Sequence, residues 1–244
     1  MLFFKEKESS KVTFFTDNDE LMSRPDLHPQ PASKFFPEWF KKVKSGNVSL
    51  ASNINEKNIK NCPVFAEYLT QGYVIPMWCD TLIMLNTKAG EFQWKTPSSE
   101  YKWDYHSHDQ FLNHIPISEE KRKTSFVGKT ICPWMVKLEK GYSLYQMHQY
   151  YNFNEDWEVL PGSIKSDNWP VINQQVFIKT PDKEIFIPAG TPFAWYIPYK
   201  REKYNLEVKI SGDEEINHVN LAVGFLNSHF KNAYKKLNSF KNSE

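Results

Sequence analysis

The stretch from residue 184 to residue 201 constrains the fold more than any other part of the chain. It holds two apolar runs, at 185–187 and 193–197, separated by Pro188 and Gly190. Proline presets a negative φ and glycine adopts a positive φ freely, so the pair predicts a tight turn between two hairpin strands. The second run is apolar at every position, which is typical of a strand covered on both faces. The stretch therefore predicts a β-hairpin at the centre of the fold.

Similar apolar runs, punctuated by proline and glycine, recur along the chain. The pattern predicts strands at 11–16, 73–85, 131–137, 142–148, 159–164, 171–179 and 206–210. Residues 81–95 and 131–148 are each expected to form a hairpin. Helical spacing predicts short helices near 34–42 and 62–71, and a C-terminal helix at about 213–238. We expect one β-rich domain over 1–244, an antiparallel two-sheet sandwich or cupin-like jelly-roll.

Composition excludes some function classes. Lys and Arg total 30 against 29 Asp and Glu, which disfavours nucleic-acid binding driven by bulk charge, although the basic run 121–123 leaves a local contact open. The N-terminus lacks a signal-peptide pattern, and no apolar run approaches the roughly 20 residues that span a membrane. Three cysteines are too few for a disulfide framework. We expect a soluble, cytoplasmic protein with reduced thiols.

His106 and His108 are the candidate metal ligands. On a strand, residues two apart point to the same face, so both imidazoles would coordinate one divalent ion such as iron. The candidate third ligands, His114 and His148, lie at no diagnostic spacing. The alternative is a polar surface loop whose histidines bind nothing.

The high aromatic content, 16% of the chain, fits either a well-packed core or an aromatic-lined pocket. A pocket between the sheets would take the following ligand-binding residues: Trp78, Gln110, Trp134, Tyr142, Ser143 and Trp195. Lys200 and Arg201 suggest either an anion contact or a solvated strand edge. Cys79 and Cys132 lie in apolar runs, where free cysteine is usually core.

Three motifs carry a resemblance to a known family. They are Pro133-Trp-x-x-Lys137, Gly141-Tyr-Ser143, and the run from Gly190-Thr-Pro to Lys200-Arg. They resemble an uncharacterised family of tailed-phage and bacterial proteins, a domain of unknown function. The resemblance covers most of 33–237 and is most specific in 131–201. It implies a phage or bacterial setting, in the host-cell cytoplasm if phage-encoded, and it implies no activity.

The chain departs from that family on both sides of Gly141-Tyr-Ser143. Residues 138–140 read Leu-Glu-Lys where members carry Thr-Pro, and 150–152 read Tyr-Tyr-Asn where members carry Pro-x-Asn. A site shared with the family at this point is therefore in question.

Two hypotheses for the function follow. The first is a small-molecule-binding protein or metal-dependent enzyme with its pocket between the β-sheets. The second is a phage accessory or virion structural protein without catalytic activity, whose aromatic side chains form the interface of a homo-oligomer.

Overall fold

The computed structural model describes residues 10–44, 47–49, 55–86, 91–180 and 182–228. The chain divides into two compact units, the first made of Met1–Phe35 and Gly72–Arg201, the second of Phe36–Gln71 and Glu202–Glu244. A single domain over 1–244 stays a prediction, and each unit is described by itself.

Strands dominate the described residues and are numbered in chain order: β1 (Thr13–Phe15), β2 (Gln30–Pro31), β3 (Asn47–Ser49), β4 (Asn55–Lys57), β5 (Tyr73–Pro76), β6 (Thr81–Asn86), β7 (Glu91–Lys95), β8 (Trp103–His106), β9 (Phe126–Thr130), β10 (Met135–Lys137), β11 (Tyr142–Met147), β12 (Trp157–Val159), β13 (Gly162–Ile164), β14 (Gln175–Ile178), β15 (Glu184–Ile187) and β16 (Pro192–Lys200). The α-helices are short, except the last: α1 (Asp19–Met22), α2 (Glu38–Lys42), α3 (Pro63–Thr70), α4 (Glu119–Thr124) and α5 (Asp213–Ser228).

The first unit is a sandwich-like stack of antiparallel sheets. A five-stranded sheet runs in the order β13-β11-β16-β5-β2, and a four-stranded sheet in the order β12-β14-β9-β8. A three-stranded sheet, β15-β6-β7, and the pair β1-β10 complete the unit. The sheets do not close into a barrel. The prediction of a mainly β, antiparallel, sandwich-like fold is confirmed.

One apolar core joins the sheets of the first unit. Leu144 and Phe193 of the five-stranded sheet, Val176 of the four-stranded sheet and Ile83 of the three-stranded sheet all belong to one buried cluster. Phe92 stacks on Phe126 with ring centroids 5.2 Å apart. Residues alternate between the core and the outer face along β6 and β15, as half-covered strands require.

The prediction that 185–197 forms a hairpin is wrong, although both strands and the turn are present. β15 pairs with β6, whereas β16 pairs with β11 and β5, so the chain changes sheets at residues 188–191. Gly190 has a φ of +82° as expected, and its N–H donates to the Met77 carbonyl oxygen at 2.8 Å. The turn is therefore anchored to the segment after β5, which directs the two strands into different sheets.

The hairpin predicted at 131–148 is also wrong. β10 pairs with β1, and β11 lies between β13 and β16. The Gly141 N–H donates to the Asp167 carboxylate at 2.9 Å, so a distant segment holds this turn and its flanking strands find separate partners. The hairpin predicted at 81–95 is confirmed as β6 and β7.

The second unit combines α2, α3 and α5 with the strand pair β3-β4. The rings of Phe40 and Phe65 lie 5.2 Å apart, and the Lys60 ammonium sits 4.2 Å above the Phe40 ring. The strand predicted at 206–210 is wrong, because this segment forms no strand in the part of the chain that the structure describes. The C-terminal helix begins at Asp213 as predicted, and residues 229–238 of that prediction lie outside the described ranges. Across the described ranges, no helix has the length and apolar character to cross a membrane.

Gly72 and Gly190 make a matched pair for testing how closely the backbone packs beside β16. Both have positive φ, but a Cβ on Gly72 would lie 2.1 Å from the Tyr196 carbonyl oxygen, whereas a Cβ on Gly190 would meet nothing within 4 Å. We expect Gly72→Ala to lower the free energy of unfolding by about 3 kcal/mol, because strand backbone must move. Gly190→Ala should cost about 1 kcal/mol, from backbone strain alone. Urea denaturation of both variants checks this, and equal losses would contradict the close approach.

Candidate functional site

The three tryptophans predicted to line a pocket are buried instead. Trp78, Trp134 and Trp195 are 3%, 2% and 1% exposed. Trp78 packs edge-on against Phe193, with ring centroids 5.9 Å apart. Trp134 packs edge-on against His28 at 5.2 Å. Their burial favours the core interpretation of the aromatic residues, and their role in ligand binding stays a prediction.

Tyr142 and Ser143 lie at the start of β11, next to Arg201. The Arg201 Nη1 donates to the Tyr142 carbonyl oxygen and to the Ser143 Oγ, both at 2.9 Å. The same guanidinium forms a bidentate ion pair with Asp167, and the Gly141 N–H donates to that carboxylate. We call this group of five residues the Arg201 clasp.

The clasp occupies the Arg201 guanidinium and the Ser143 hydroxyl, which the sequence suggested for binding an anion or a ligand, but it uses only the backbone carbonyl oxygen of Tyr142. The Asp167 side chain is 3% exposed, and the Arg201 guanidinium beside it holds the pKa of the carboxyl below its ordinary value of 3.8. Ser143 is fully buried, and its Oγ accepts from Arg201. The clasp therefore anchors the start of β11 to the end of β16, and ligand binding by Tyr142 and Ser143 stays a prediction.

His106 and His108 do not share a strand. β8 ends at His106, and His108 begins a 3₁₀ turn over His108–Gln110, so the premise that both point to one face is wrong. The His108 Nε2–H donates to the Arg122 carbonyl oxygen at 3.0 Å. Gln110 closes the same turn, its Oε1 accepting from the Ser107 N–H at 2.9 Å. No group of three potential metal ligands occurs among the described residues. The metal site stays a prediction.

His148, one of the two candidate third ligands, is largely buried beside Trp157, with ring centroids 5.3 Å apart. The Val159 N–H donates to its Nδ1 at 3.4 Å, and its buried Nε2 has no partner among the described residues. Burial lowers the pKa of His148 from 6.5 to about 4; Glu158 opposes this shift and Lys179 adds to it. The ring is therefore neutral at physiological pH.

The cysteine thiols at 79 and 132 are buried and protonated. Burial raises the pKa of Cys132 to about 12, and it also raises the pKa of Cys79 despite a hydrogen bond to Thr81. Because the thiolate is the reactive form, neither thiol is poised as a nucleophile.

A groove of about 320 Å³ opens at the edge of the sandwich, where β11 and β13 of the five-stranded sheet meet the segment leading into β14. We call it the amide groove because side-chain amides dominate its polar lining. Its polar and aromatic lining residues are Gln146, Ser163, Lys165, Trp169, Asn173 and Gln175. Trp169 is 62% exposed, an unusual position for the largest apolar side chain.

Gln146 forms the floor of the amide groove and is 2% exposed. It belongs to a buried hydrogen-bond series that we call the amide chain, made of Thr130, Gln174, Tyr196 and Gln146. The Thr130 hydroxyl donates to the Gln174 Oε1, and the Gln174 Nε2 donates to the Tyr196 hydroxyl at 2.8 Å. The Tyr196 hydroxyl then donates to the Gln146 Oε1 at 3.0 Å.

The amide chain fixes Gln146 without using all its hydrogen-bonding capacity. A glutamine amide offers two N–H donors and two acceptor lone pairs. The Gln146 Nε2 donates to the Leu160 carbonyl oxygen at 3.3 Å and its Oε1 accepts from Tyr196, which leaves one donor and one acceptor. Unlike Gln146, the side-chain amides of Asn173 and Gln175 have no hydrogen-bond partner within the described residues. The groove thus presents three amides able to bind a polar ligand.

The Arg201 clasp also holds the turn that carries Trp169. Asp167 and Trp169 lie in the same turn, whose Asn168 and Trp169 N–H groups donate to the Lys165 carbonyl oxygen at 3.0 and 2.9 Å. Because Asp167 is tied to Arg201 at the end of β16, the turn is held against the sheet on one side of Trp169. On the other side, the Pro170 carbonyl oxygen accepts from the Val136 N–H at 2.9 Å.

A second, larger cavity of about 710 Å³ shares Val171 with the groove as a lining residue. Four carboxylates line it: Asp17, Asp19, Glu20 and Glu100. No Lys or Arg is among its lining residues in the described part of the chain. The cavity is therefore electronegative. Its buried lining residues, among those that the structure describes, are Tyr101 and Cys132, and neither is an amide.

The amide groove was not predicted from the sequence. Gln146 and Gln174 interrupt or border apolar strands, and a buried amide needs partners, so both were available as signals of an internal polar network. Trp169 lies between the strands predicted at 159–164 and 171–179 and carries no local sign that its ring is exposed.

Comparisons with known proteins add no assignment: no protein-family model matches this chain, and no curated protein matches it. The resemblance to tailed-phage and bacterial proteins therefore stays a prediction.

The Arg201 clasp should make the folding stability depend on pH in the acidic range. Because the folded-state pKa of Asp167 is lowered, the ion pair stabilises the fold fully above about pH 4 and loses this effect as the pH falls below that value. We expect Asp167→Asn to be less stable than wild type at neutral pH, with the difference shrinking below about pH 4. Chemical denaturation across this range checks the expectation.

Asp26→Asn is the control, because Asp26 pairs with Arg24 at 2.7 Å while both side chains are more than half exposed. That variant should change stability little at any pH. A constant difference between wild type and Asp167→Asn down to about pH 2 would contradict the assignment.

Because the pKa of His148 is lowered, we expect the folding stability to depend on pH in a second, separate range. Its folded-state pKa is about 4 against an ordinary 6.5, so the unfolded chain binds the extra proton and stability falls as the pH drops between these values. At about 1.4 kcal/mol per pKa unit, the loss reaches about 3 kcal/mol by pH 4. His148→Gln should abolish this slope, whereas Asp167→Asn should retain it. A slope that persists in His148→Gln would show that another group carries it.

Proposed function

We propose that the protein binds a small, hydroxyl-rich ligand of the sugar class in the amide groove. The observation that carries this proposal is Gln146, a buried side-chain amide held by Tyr196 and Leu160 with one donor and one acceptor to spare at the groove floor. Both polar atoms of this amide already have one partner, so the amide is held in place, and its remaining donor and acceptor are available to a ligand or a water molecule.

The chemistry of the lining selects hydroxyl groups. Each sugar hydroxyl both donates and accepts, and an amide does the same through different atoms, so the two match in pairs. Gln146, Asn173 and Gln175 supply such amides from three positions around the groove. Lys165 adds one cation to the lining, which favours a sugar that carries a carboxylate.

Trp169 supplies the apolar part of the same recognition. One face of a pyranose ring consists mainly of C–H groups, and an indole ring offers a flat surface of similar size for it. The clasp holds the Trp169 turn in place before binding, so less conformational freedom is lost when a ligand stacks on the ring.

The metal-dependent enzyme suggested by His106 and His108, the cupin-like jelly-roll, and the phage-encoded or bacterial cytoplasmic setting remain predictions. Sugar binding in the amide groove requires none of them. The alternative, a virion or accessory protein that acts through its surface, draws support from the exposed segment after residue 202.

Trp169→Ala tests the proposal. We expect wild type to bind at least one of glucose, N-acetylglucosamine and glucuronate in calorimetric titration, and Trp169→Ala to weaken that binding by about tenfold, because it removes the stacking surface. Gln175→Ala should weaken binding by about fivefold without lowering the thermal stability, since its amide has no partner in the described protein.

Trp94→Ala is the matched control, because Trp94 is a partly exposed tryptophan on β7 that does not line the groove. It should bind as wild type does. Failure of all three sugars to bind at millimolar concentration, or equal binding by wild type and Trp169→Ala, would overturn the proposal.

A further inference from the structure

Residues 203–211 form no helix, strand or turn, and their apolar side chains are almost fully exposed. Tyr204, Leu206, Val208 and Ile210 are 82%, 91%, 86% and 97% exposed. They alternate with polar residues, which is the pattern of a strand with one covered face. In the described part of the chain, however, no strand pairs with this segment, which we call the arm.

The two ends of the arm are held, so its exposure is not that of a loose terminus. At the near end, the Arg201 N–H donates to the Gly141 carbonyl oxygen at 2.8 Å. At the far end, the Gly212 N–H donates to the Glu215 carboxylate at 2.6 Å, which caps the start of α5. Between these anchors, a row of backbone donors and acceptors beside an exposed apolar face makes a template for another strand.

We propose that the arm pairs with the arm of a second copy of this chain, antiparallel about a two-fold axis through Val208. In this register Val208 faces itself and Leu206 faces Ile210 in both directions. The apolar side chains then share one face of a two-stranded ribbon, as the alternation requires. An isologous contact of this kind closes on itself and yields a dimer.

The charges of the arm select a second copy and this register. With the axis at Val208, Glu207 lies directly opposite Lys209 on both sides of the axis, which gives two opposite-charge pairs. Within the single chain Lys209 pairs with Glu215, so in the dimer its ammonium would lie between two carboxylates. An axis at Glu207 would place that carboxylate opposite itself, and an axis at Leu206 would place Lys203 opposite Lys209. Among these three registers, the axis at Val208 alone pairs opposite charges.

The helix that follows the arm enlarges the surface available to a second copy. Ile216, Val219 and Val223 recur at helical spacing on α5 and are each about half exposed. A two-stranded ribbon alone is marginally stable in water, so a dimer needs further apolar burial of this kind.

Cysteine cross-linking tests the register. Directly opposite residues of an antiparallel pair have Cα atoms about 4.5–5.5 Å apart, within disulfide range, whereas diagonal neighbours lie about 7–8 Å apart. Under mild oxidation, Val208→Cys should form a covalent dimer about fivefold faster than Glu207→Cys, because only residue 208 faces itself. Wild type reports the background from half-buried Cys62. Equal cross-linking of the two variants would overturn the proposal.

Charge exchange gives an independent measurement by analytical ultracentrifugation. Glu207→Lys and Lys209→Glu should each weaken self-association about tenfold, because both opposite-charge pairs become like-charge pairs. Mixing the two variants restores both pairs, so a heterodimer should form about as tightly as wild type. A chain that stays monomeric at high concentration, or a mixture that associates no better than its components, would contradict arm pairing. Both positions are exposed and lie outside the amide groove. Because Lys209 also pairs with Glu215 within the chain, Glu215→Gln, which removes only that ion pair, is the control and should leave self-association unchanged.

Discussion

The hydrogen bonds that Tyr196 makes between the sheets are the constraint on which the rest of the first unit depends. Its hydroxyl is fully buried, and burial raises its pKa well above 10.0, so the phenol stays neutral and must find partners inside the protein. It accepts from Gln174, just before β14, and donates to Gln146 on β11. Since an unpaired polar group at this depth would be strongly destabilising, the relative position of the two sheets is fixed by this polar contact as well as by apolar packing.

The same position of the sheets determines where the interior becomes accessible. Gln146 is the last member of the amide chain, and it lies where β13 ends the five-stranded sheet. Tyr196 belongs to the apolar core cluster, whereas Gln146 lines the groove together with two further amides and the indole of Trp169. The Arg201 clasp adds a second restraint at this edge through Asp167, so the floor and one wall of the groove are held by separate networks. Such independent supports favour a site that is formed before any ligand arrives.

How much the sequence could reveal depended on whether the deciding contacts were local. The apolar run of β16 and its preceding turn at Gly190 were recognisable, because residue type and backbone preference act within a few residues. The strand partners were not, because β16 joins strands more than 40 residues away and its pairing depends on the whole core. The sequence also does not distinguish a tryptophan of the core from one of a pocket. Trp195 and Trp169 are the same residue type, yet one is buried and the other exposed. His108 failed as a strand residue because β8 stops two positions earlier.

Glu207 and Lys209 also bear on aggregation, which an exposed strand-like segment normally invites. Open-ended cross-β growth usually stacks identical segments in register at about 4.8 Å spacing. Each carboxylate would then lie over another carboxylate, and each ammonium over another ammonium, along the entire fibril. Repulsion accumulates with every added chain in that arrangement. Two interleaved charges thus act as gatekeepers for four exposed apolar side chains.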